Sequence, residues 1–274
     1  MKYVSFSRAD GSAGFGRLDG DTIYDLSASA ADLKSAIAAD SLSALKDGES
    51  LGLADVTLLP VIPNPTKVFC VGHNYETHRK ETGRAPTDYP SIFVRFADSL
   101  SAHGQPIKMP KVSTDLDFEG ELAVIIGKGG RYIAEQDALS HVAGYACFND
   151  ASVRDWQWHS RQFTPGKNFP TTGPFGPYMI TPDEAGDLSE VMVTTRLNDT
   201  IVQQQPIGDM IFPIANIIAY ISSFTPLQPG DVIASGTPGG VGAKRTPPLW
   251  MKPGDTIEVN IGPMGTLTNT IEAE

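Results

Sequence analysis

The sequence has few of the features that mark secreted or membrane proteins. It contains only two cysteines in 274 residues, Cys70 and Cys147, which argues against a disulfide framework. No stretch approaches the roughly 18 consecutive apolar residues of a membrane span. The first residues, MKYVSFSRADGS, lack the apolar core of a signal peptide. We therefore expect no secretory signal, no transmembrane segment and a reduced, cytoplasmic location.

Positive charge is also scarce. Lys and Arg number 21 against 32 Asp and Glu, so the net charge is −11. Nucleic-acid-binding proteins usually present a basic face, and anionic membrane surfaces attract one, so both kinds of partner are disfavoured. An anionic small-molecule substrate would need local cations or a metal. The 41% hydrophobic content is ordinary for a globular protein with a buried core.

Three prolines punctuate the chain at Pro60, Pro63 and Pro65. Such a segment favours an extended linker, and it predicts a small β-rich N-terminal domain over residues 1–62 and a larger domain over 63–274. In the first domain, Lys2 to Arg8 predicts a strand and Asp19-Gly20-Asp21 a hairpin turn. A helical spacing then follows in the Ala/Ser-rich stretch, carried by Leu33, Ile37, Leu42 and Leu45.

Strands dominate the larger domain. The segments 122–126 and 142–148 are apolar on both faces, as in buried strands, and 256–261 alternates apolar and polar residues. One clear helix is predicted from the i, i+3, i+4, i+7 spacing of Ile214, Ile217, Ile218 and Ile221, with Pro213 in its first turn. The predicted fold class is β-dominated α+β.

The most informative segment is DFEGE, at 117–121, followed by a buried strand. In a strand Glu119 and Glu121 point to the same face, and Asp150 follows the next strand. Carboxylates held together repel one another unless a hard cation lies between them, and an all-oxygen set suits Mg²⁺ or Mn²⁺ better than Zn²⁺. A metal site is therefore predicted. The alternative is an ordinary acidic pair on a solvated strand face.

Three further features have both a functional and a plain interpretation. His78 and Glu81 fall one helical turn apart, where the carboxylate can orient the imidazole as a general base, but a solvated polar helix turn fits as well. Lys167 and Arg154 could stabilise anionic charge or be surface cations. The glycine-rich loop SGTPGGVG, at 235–242, allows close approach of a ligand but lacks the pattern of a phosphate loop or a nucleophile elbow.

Taken together, these motifs resemble the fumarylacetoacetate hydrolase family. The similarity runs from about Pro63 to the C-terminus, through VFCVGHNY at 68–75, DFEGELAVIIGK at 117–128, NDASVRDWQ at 149–157, SGTPGGVG and PLWMKPGD at 248–255. The resemblance implies a mixed β-roll, usually a homodimer, with a variable small N-terminal domain corresponding to the first sixty residues.

The resemblance also implies a role for each site residue. Mg²⁺ or Mn²⁺ would be bound by Glu119, Glu121 and Asp150. The His78–Glu81 dyad would lie on a lid segment that orders when substrate binds, and Lys167 would stabilise developing negative charge. The bound keto acid would lie near Arg154, Gln157 and Thr237. We further expect Gly236 and Thr237 to contact the carboxylate of the substrate.

The expected reaction is metal-dependent hydrolysis of a carbon–carbon bond in a 1,3-diketo, acylpyruvate-like acid. The 2-oxo acid end would chelate the metal, water activated by His78 and Glu81 would attack the distal carbonyl, and the departing carbanion would be a metal-held enolate. Alternatives are a 2-oxo-acid hydratase, isomerase or decarboxylase of the same family, or a non-catalytic metal- or ligand-binding β-protein. The candidates for selecting the acyl tail are Phe69, Arg95, Trp156 and Phe175.

Overall fold

The structure is a computed structural model that describes residues 1–274. Residues 1–62 form five strands and one helix: β1 (Lys2–Ser7), β2 (Ala13–Asp19), β3 (Thr22–Asp25), α1 (Leu33–Ala38), β4 (Ser50–Gly52) and β5 (Thr57–Leu58). The hairpin between β2 and β3 is present as predicted, with Gly20 at φ +57° in its turn. Helix α1 is shorter than the leucine spacing suggested, because Asp40 adopts a positive φ of 50° and ends it.

The strands of residues 63–274 are β6 (Val68–Gly72), β7 (Ser91–Arg95), β8 (Leu100–Ser101), β9 (Ile107–Met109), β10 (Leu116–Asp117), β11 (Gly120–Ile126), β12 (Val142–Asn149), β13 (Ser152–Val153), β14 (Gly173–Ile180), β15 (Met192–Leu197), β16 (Thr200–Pro206), β17 (Val232–Ala234), β18 (Thr256–Asn260) and β19 (Thr266–Ala273). The helices are α2 (Glu76–Glu81), α3 (Arg154–Gln157), α4 (Thr164–Lys167), α5 (Pro182–Ala185) and α6 (Ile214–Phe224). Short 3-10 turns occur at Leu42–Ala44, Leu53–Asp55, Ala97–Ser99, Glu135–His141, Ile207–Asp209, Gly242–Lys244 and Gly262–Met264.

A twelve-stranded mixed sheet forms the centre of the molecule. Its main path runs β4-β3-β2-β1-β14-β12-β11-β17-β6-β7, with β5 beside β1 and β8 beside β14. A five-stranded sheet, β16-β15-β18-β19-β9, lies against it, and β10 pairs with β13. The β-dominated fold class predicted from the sequence is therefore correct.

Strand β11 is buried on both faces, as its unbroken apolar sequence predicted. Leu122, Val124 and Ile126 pack toward α6 and the five-stranded sheet, whereas Ala123 and Ile125 pack on the opposite face with α1. Helix α6 also forms as predicted. Its four isoleucines are buried and Pro213 lies at its N-cap. This packing fixes the end of β11 from which the site residues project.

The N-terminal strands continue the central sheet, since Lys2 and Tyr3 of β1 pair with Ile180 and Met179 of β14. Val61 and Ile62, at the predicted linker, are buried in the core beneath that sheet. The division into domains at residues 62 and 63 stays a prediction. None of the helices, of which α6 has 11 residues, could span a lipid bilayer.

Candidate active site and metal centre

A cavity of about 100 Å³ opens where β6, β7, β11 and the glycine-rich loop converge. It brings together most of the residues that the sequence singled out. Its lining includes His73, His78, Arg84, Phe93, Glu119, Glu121, Arg154, Gln157, Trp158, Phe163, Lys167, Thr237 and Lys244. The four candidates for selecting the acyl tail do not line it, which corrects that expectation. Phe69 and Phe175 belong to the hydrophobic core, Arg95 is buried against Asp150, and Trp156 packs on Phe169.

The predicted carboxylates come together, with Glu119 and Glu121 lining this cavity and Asp150 buried beside them. Glu119 and Glu121 flank Gly120, which pairs with Asn149 at the end of β12, so Asp150 arrives beside them. The Asp150 backbone N–H donates to the Glu119 carbonyl oxygen over 2.8 Å. All three are buried, and one ligand oxygen from each lies within 4.8 Å of the others. The acidic pair is therefore not on a solvated face.

Buried cations balance most of this negative charge. Lys167 Nζ lies 2.7 Å from Glu119 Oε2 and 2.6 Å from Asp150 Oδ2, and Arg154 Nη2 lies 2.6 Å from Glu119 Oε1. Lys167 is only 1% exposed, so it is not a solvated loop cation. Arg95 donates to the second oxygen of Asp150 and to the Ala151 carbonyl. Glu119 and Asp150 thus each bind two cations.

The two glutamates of the triad differ in charge state. Burial opposes ionisation of Glu119, but Arg154 and Lys167 outweigh burial and hold its pKa below the ordinary value. Burial, together with the charges of Asp150 and Glu119, raises the pKa of Glu121 well above its usual range. One oxygen of Glu121 accepts a hydrogen bond from the Gly236 N–H at 2.9 Å, and no protein donor reaches the other. That free oxygen and the raised pKa fit a place where a divalent cation would bind, because its charge favours the ionised carboxylate.

In the His78–Glu81 pair the imidazole is buried and the carboxylate is partly exposed. His78 Nδ1 lies 2.7 Å from Glu81 Oε1 within α2, and His78 is 4% exposed. The second oxygen of Glu81 accepts from the Gly240 N–H at 2.9 Å, which ties α2 to the glycine-rich loop. Since Glu81 holds Nδ1, the Nε2 atom of the ring is the one left for proton exchange.

His73 is a site residue whose role the sequence does not reveal. Its ring stacks on that of His78, with centroids 5.0 Å apart and planes at 17°. Burial, followed by the neighbouring His78, lowers the pKa of His73 to about 3, so it is neutral at physiological pH. Its φ of +57° is unusual for a residue other than glycine. The only sequence signal is its place directly after Gly72 at the end of a buried strand.

The glycine-rich loop makes several hydrogen bonds to other parts of the protein. The Gly236 N–H is used by Glu121, and the Thr237 hydroxyl donates to the Gly120 carbonyl at 2.9 Å while accepting from Gln203. Gly236 has a φ of +109°, and a Cβ there would lie 2.5 Å from the Cβ of Asn74. Thr237 lines the cavity, as does Gln157, whose Oε1 accepts from Arg154 at 2.8 Å. Substrate contacts by Gly236 and Thr237 stay predictions.

Asp117 is a second residue that sequence reasoning missed. It is fully buried and accepts hydrogen bonds from Arg154 Nε at 2.8 Å and from the N–H groups of Gly242 and Ala243 at 2.7 and 2.9 Å. The sequence offers only its position two residues before Glu119, which does not reveal its distant partners. Asp117 therefore orients Arg154 and anchors the end of the glycine-rich loop.

With this geometry in place, comparison with known proteins identifies the family. Residues 67–272 match the family model for the fumarylacetoacetate hydrolase C-terminal domain, and residues 1–60 match one described as Rv2993c-like, N-terminal. The chain belongs to the fumarylacetoacetate hydrolase family. It is therefore an enzyme of this superfamily, and the predicted family and its mixed β fold are confirmed.

Relatives within the family have several activities. The chain is 39% identical to an oxaloacetate tautomerase of Homo sapiens, over 80% of this chain and 70% of that protein. It is 39% identical to an oxaloacetate tautomerase of Bacillus subtilis, over 83% and 79% of the two chains. A solved fumarylacetoacetate hydrolase of Exiguobacterium antarcticum superposes with a TM-score of 0.89 at 35% identity, and a 5-carboxymethyl-2-hydroxymuconate delta-isomerase of Mycobacterium smegmatis with 0.84 at 30%. Both structures and this chain are covered completely.

The raised pKa of Glu121 predicts how the stability of the protein depends on pH. In the metal-free protein the folded state keeps a proton on Glu121 above pH 4.5, where the unfolded chain loses it. The unfolding free energy should therefore fall as pH rises from 4.5 through the raised pKa of the folded state. Stabilisation by Mg²⁺ should grow over the same range, because binding then displaces fewer protons.

Urea unfolding of wild type and Glu121→Gln across pH, in EDTA and in Mg²⁺, measures both effects. The variant should lose this part of the pH dependence and most of the Mg²⁺ stabilisation. Equal Mg²⁺ stabilisation of the two proteins would contradict the assignment of Glu121 as a ligand.

The contacts of Asp117 generate a prediction about stability. Asp117→Asn keeps the shape of the side chain but leaves Arg154 buried with one carboxylate partner fewer. Breaking a buried pair in this way costs about 3 kcal/mol of unfolding free energy. Asp115→Asn, two residues earlier and without an ion pair, is the control and should change stability by less than about 0.5 kcal/mol. Similar values for the two variants, measured by urea unfolding, would show that Asp117 has no special role.

Proposed function

We propose that this protein is a divalent-metal-dependent enol–keto isomerase of a small 2-oxo acid. The observation that carries the proposal is the buried His78, held by Glu81, which lines a cavity of about 100 Å³ together with Glu119 and Glu121 of the carboxylate triad. Cavities that enclose drug-sized ligands are about 300–1,000 Å³, so this one favours a small substrate over an acid with a long acyl tail. The tautomerase activity in the names of the relatives from Homo sapiens and Bacillus subtilis supports the same choice.

The metal would be Mg²⁺ or Mn²⁺, bound by Glu119, Glu121 and Asp150. Three carboxylates are hard oxygen ligands, which both ions accept, and they leave coordination positions for water or substrate. When bound, the ion supplies a Lewis acid that polarises a carbonyl group of the substrate. Its removal by chelation should therefore abolish turnover.

The remaining chemistry falls to side chains of this chain. Isomerisation moves a proton between the enol oxygen on carbon 2 of the substrate and the adjacent carbon 3. His78 Nε2 would exchange that proton, while Glu81 holds Nδ1 and stabilises the ring when it is protonated. Lys167, fixed by Glu119 and Asp150, would place its ammonium charge near the oxygen on which negative charge develops. Arg154, held by Asp117 and Gln157, would bind the substrate carboxylate near that end of the cavity.

Hydrolysis of an acylpyruvate-like 1,3-diketo acid is the second candidate. The complete superposition on the Exiguobacterium antarcticum fumarylacetoacetate hydrolase favours it, and the same dyad would then remove a proton from water instead of from the substrate. Products separate the two candidates. Isomerisation returns one acid of unchanged mass, whereas hydrolysis of acetylpyruvate gives pyruvate and acetate.

The first experiment follows the ultraviolet absorbance of enol oxaloacetate and of acetylpyruvate, with Mg²⁺ and with EDTA, and identifies products by NMR. We expect Mg²⁺-dependent conversion of the enol to the keto acid, without cleavage of acetylpyruvate. Cleavage of acetylpyruvate to two acids would replace the isomerase proposal by the hydrolase one. Release of CO₂ from oxaloacetate would indicate a decarboxylase.

The dyad makes a prediction about rate. His78→Gln and Glu81→Gln should each lower kcat, the former by about 10²- to 10⁴-fold, because the proton carrier or its orienting group is lost. Both variants should still bind oxalate in Mg²⁺, since the triad is intact. Glu76→Gln is the matched control on the same helix, where an exposed carboxylate pairs with Arg79, and it should retain turnover. Near wild-type kcat for His78→Gln would remove His78 from the mechanism.

Assembly as a homodimer and a cytoplasmic location are also proposed, from the family resemblance and the sequence respectively. Light scattering coupled to gel filtration would measure the first, and fractionation of the source cell the second.

A further inference from the structure

Two cations at the entrance of the cavity have no carboxylate partner. Arg84 and Lys244 line the same cavity as the triad, and both are exposed residues. Neither has an Asp or Glu oxygen within 4 Å, whereas the other two cations in the lining, Arg154 and Lys167, are buried and ion-paired. In a chain with a net charge of −11, two exposed cations that line this cavity without an acidic partner favour the binding of an anion.

Aromatic rings hold both cations beside the cavity. The Arg84 guanidinium lies 5.6 Å from the ring centroid of Phe163, and Lys244 Nζ lies 5.8 Å from that of Trp158. Phe163 and Trp158 themselves line the cavity. Cation–π contacts of this kind restrict a flexible side chain without neutralising its charge. The charges of Arg84 and Lys244 therefore remain available to a ligand.

Each cation is also attached to an element that holds a catalytic group. The Arg84 N–H donates to the Arg79 carbonyl over 3.1 Å, and the Arg79 guanidinium donates to the Arg84 carbonyl, so Arg84 is tied to α2 and its His78. Lys244 ends the turn Gly242–Lys244, whose first two N–H groups bind Asp117 and through it Arg154. An anion bound by both cations would bridge the helix of the dyad and the element that positions Arg154.

We propose that Arg84 and Lys244 bind the distal carboxylate of the substrate and select dicarboxylic over monocarboxylic 2-oxo acids. This inference rests on the proposed function, which places the 2-oxo acid end of the substrate at the triad. The far end of a short acid then reaches the entrance. A carboxylate at that end is attracted by the two cations, and arginine can bind it through two parallel hydrogen bonds. A substrate whose far end is uncharged would not bind more tightly because of these two cations.

Deuterium exchange at carbon 3, followed by NMR in D₂O with Mg²⁺, measures enolisation of oxaloacetate and of monocarboxylic 2-oxobutanoate on the same scale. Arg84→Gln and Lys244→Gln should each raise KM for oxaloacetate roughly tenfold, with more in the double variant. KM for 2-oxobutanoate should stay within about twofold of wild type. The matched control is Arg131→Gln, which removes an arginine that lies over Tyr132, has no acidic partner and does not line the cavity. Equal changes for the two substrates, or none, would overturn the inference.

Binding separates failure of this inference from failure of the proposed reaction. Calorimetry with wild type in Mg²⁺ should show tighter binding of oxaloacetate than of 2-oxobutanoate, and the double variant should lose that preference. If the preference exists and depends on Arg84 and Lys244 but no exchange occurs, the proposed reaction is wrong and this inference holds. If wild type binds both acids equally, the inference is wrong whatever reaction the protein catalyses.

Discussion

The site depends on an imbalance of buried charge. Four carboxylates, Asp117, Glu119, Glu121 and Asp150, are enclosed with three cations, Arg95, Arg154 and Lys167. Isolated buried charges are costly, so each cation is shared or held by several acceptors, and the pairs fix one another's geometry. The carboxylate left without a cation is Glu121, whose pKa is raised by burial and by the charges of Asp150 and Glu119, with no paired positive charge to offset them. A divalent ion at the triad would supply that charge, which explains why a set of acids can be retained inside the protein.

The glycine-rich loop links these buried carboxylates to the rest of the site. The N–H groups of Gly236, Gly240 and Gly242 donate to Glu121, Glu81 and Asp117, respectively. A single segment thereby orients a candidate metal ligand, the carboxylate paired with His78 and the acid that positions Arg154. Gly236 and Gly240 adopt φ values of +109° and +108°, which side chains with a Cβ rarely adopt. Glycine is needed here because these backbone conformations direct the N–H groups at the carboxylates. Phosphate binding does not explain the glycines, since the loop lacks a phosphate-binding pattern.

The sequence predicted the parts of the site that depend on local periodicity. The alternation of side chains in a strand placed Glu119 and Glu121 on one face, and the helical spacing placed Glu81 beside His78. The contacts it could not predict join residues far apart in the chain. Asp117 and Gly242 are separated by 125 positions, and Arg95 and Asp150 by 55. Only the packing of the strands brings them together, so neither Asp117 nor Arg95 could be given its role from local pattern. The burial of Lys167 could not be predicted from the sequence either, because a lysine that follows Pro-Gly is typical of a solvated loop.

The charged residues at the floor of the cavity are compatible with more than one reaction. A polarised 2-oxo acid, a nearby ammonium group and a histidine base are equally suited to moving a proton within the substrate and to removing one from water. The choice then depends on what occupies the space next to His78 Nε2. A substrate that fills a small cavity leaves no room for an attacking water, whereas a long acyl tail requires an opening toward solvent. The residues that bound this space lie on α2 and its following loop, on the aromatic segment with Trp158 and Phe163, and on the turn with Lys244. Divergence of activity within the family is therefore expected at these elements, while the charged floor can stay the same.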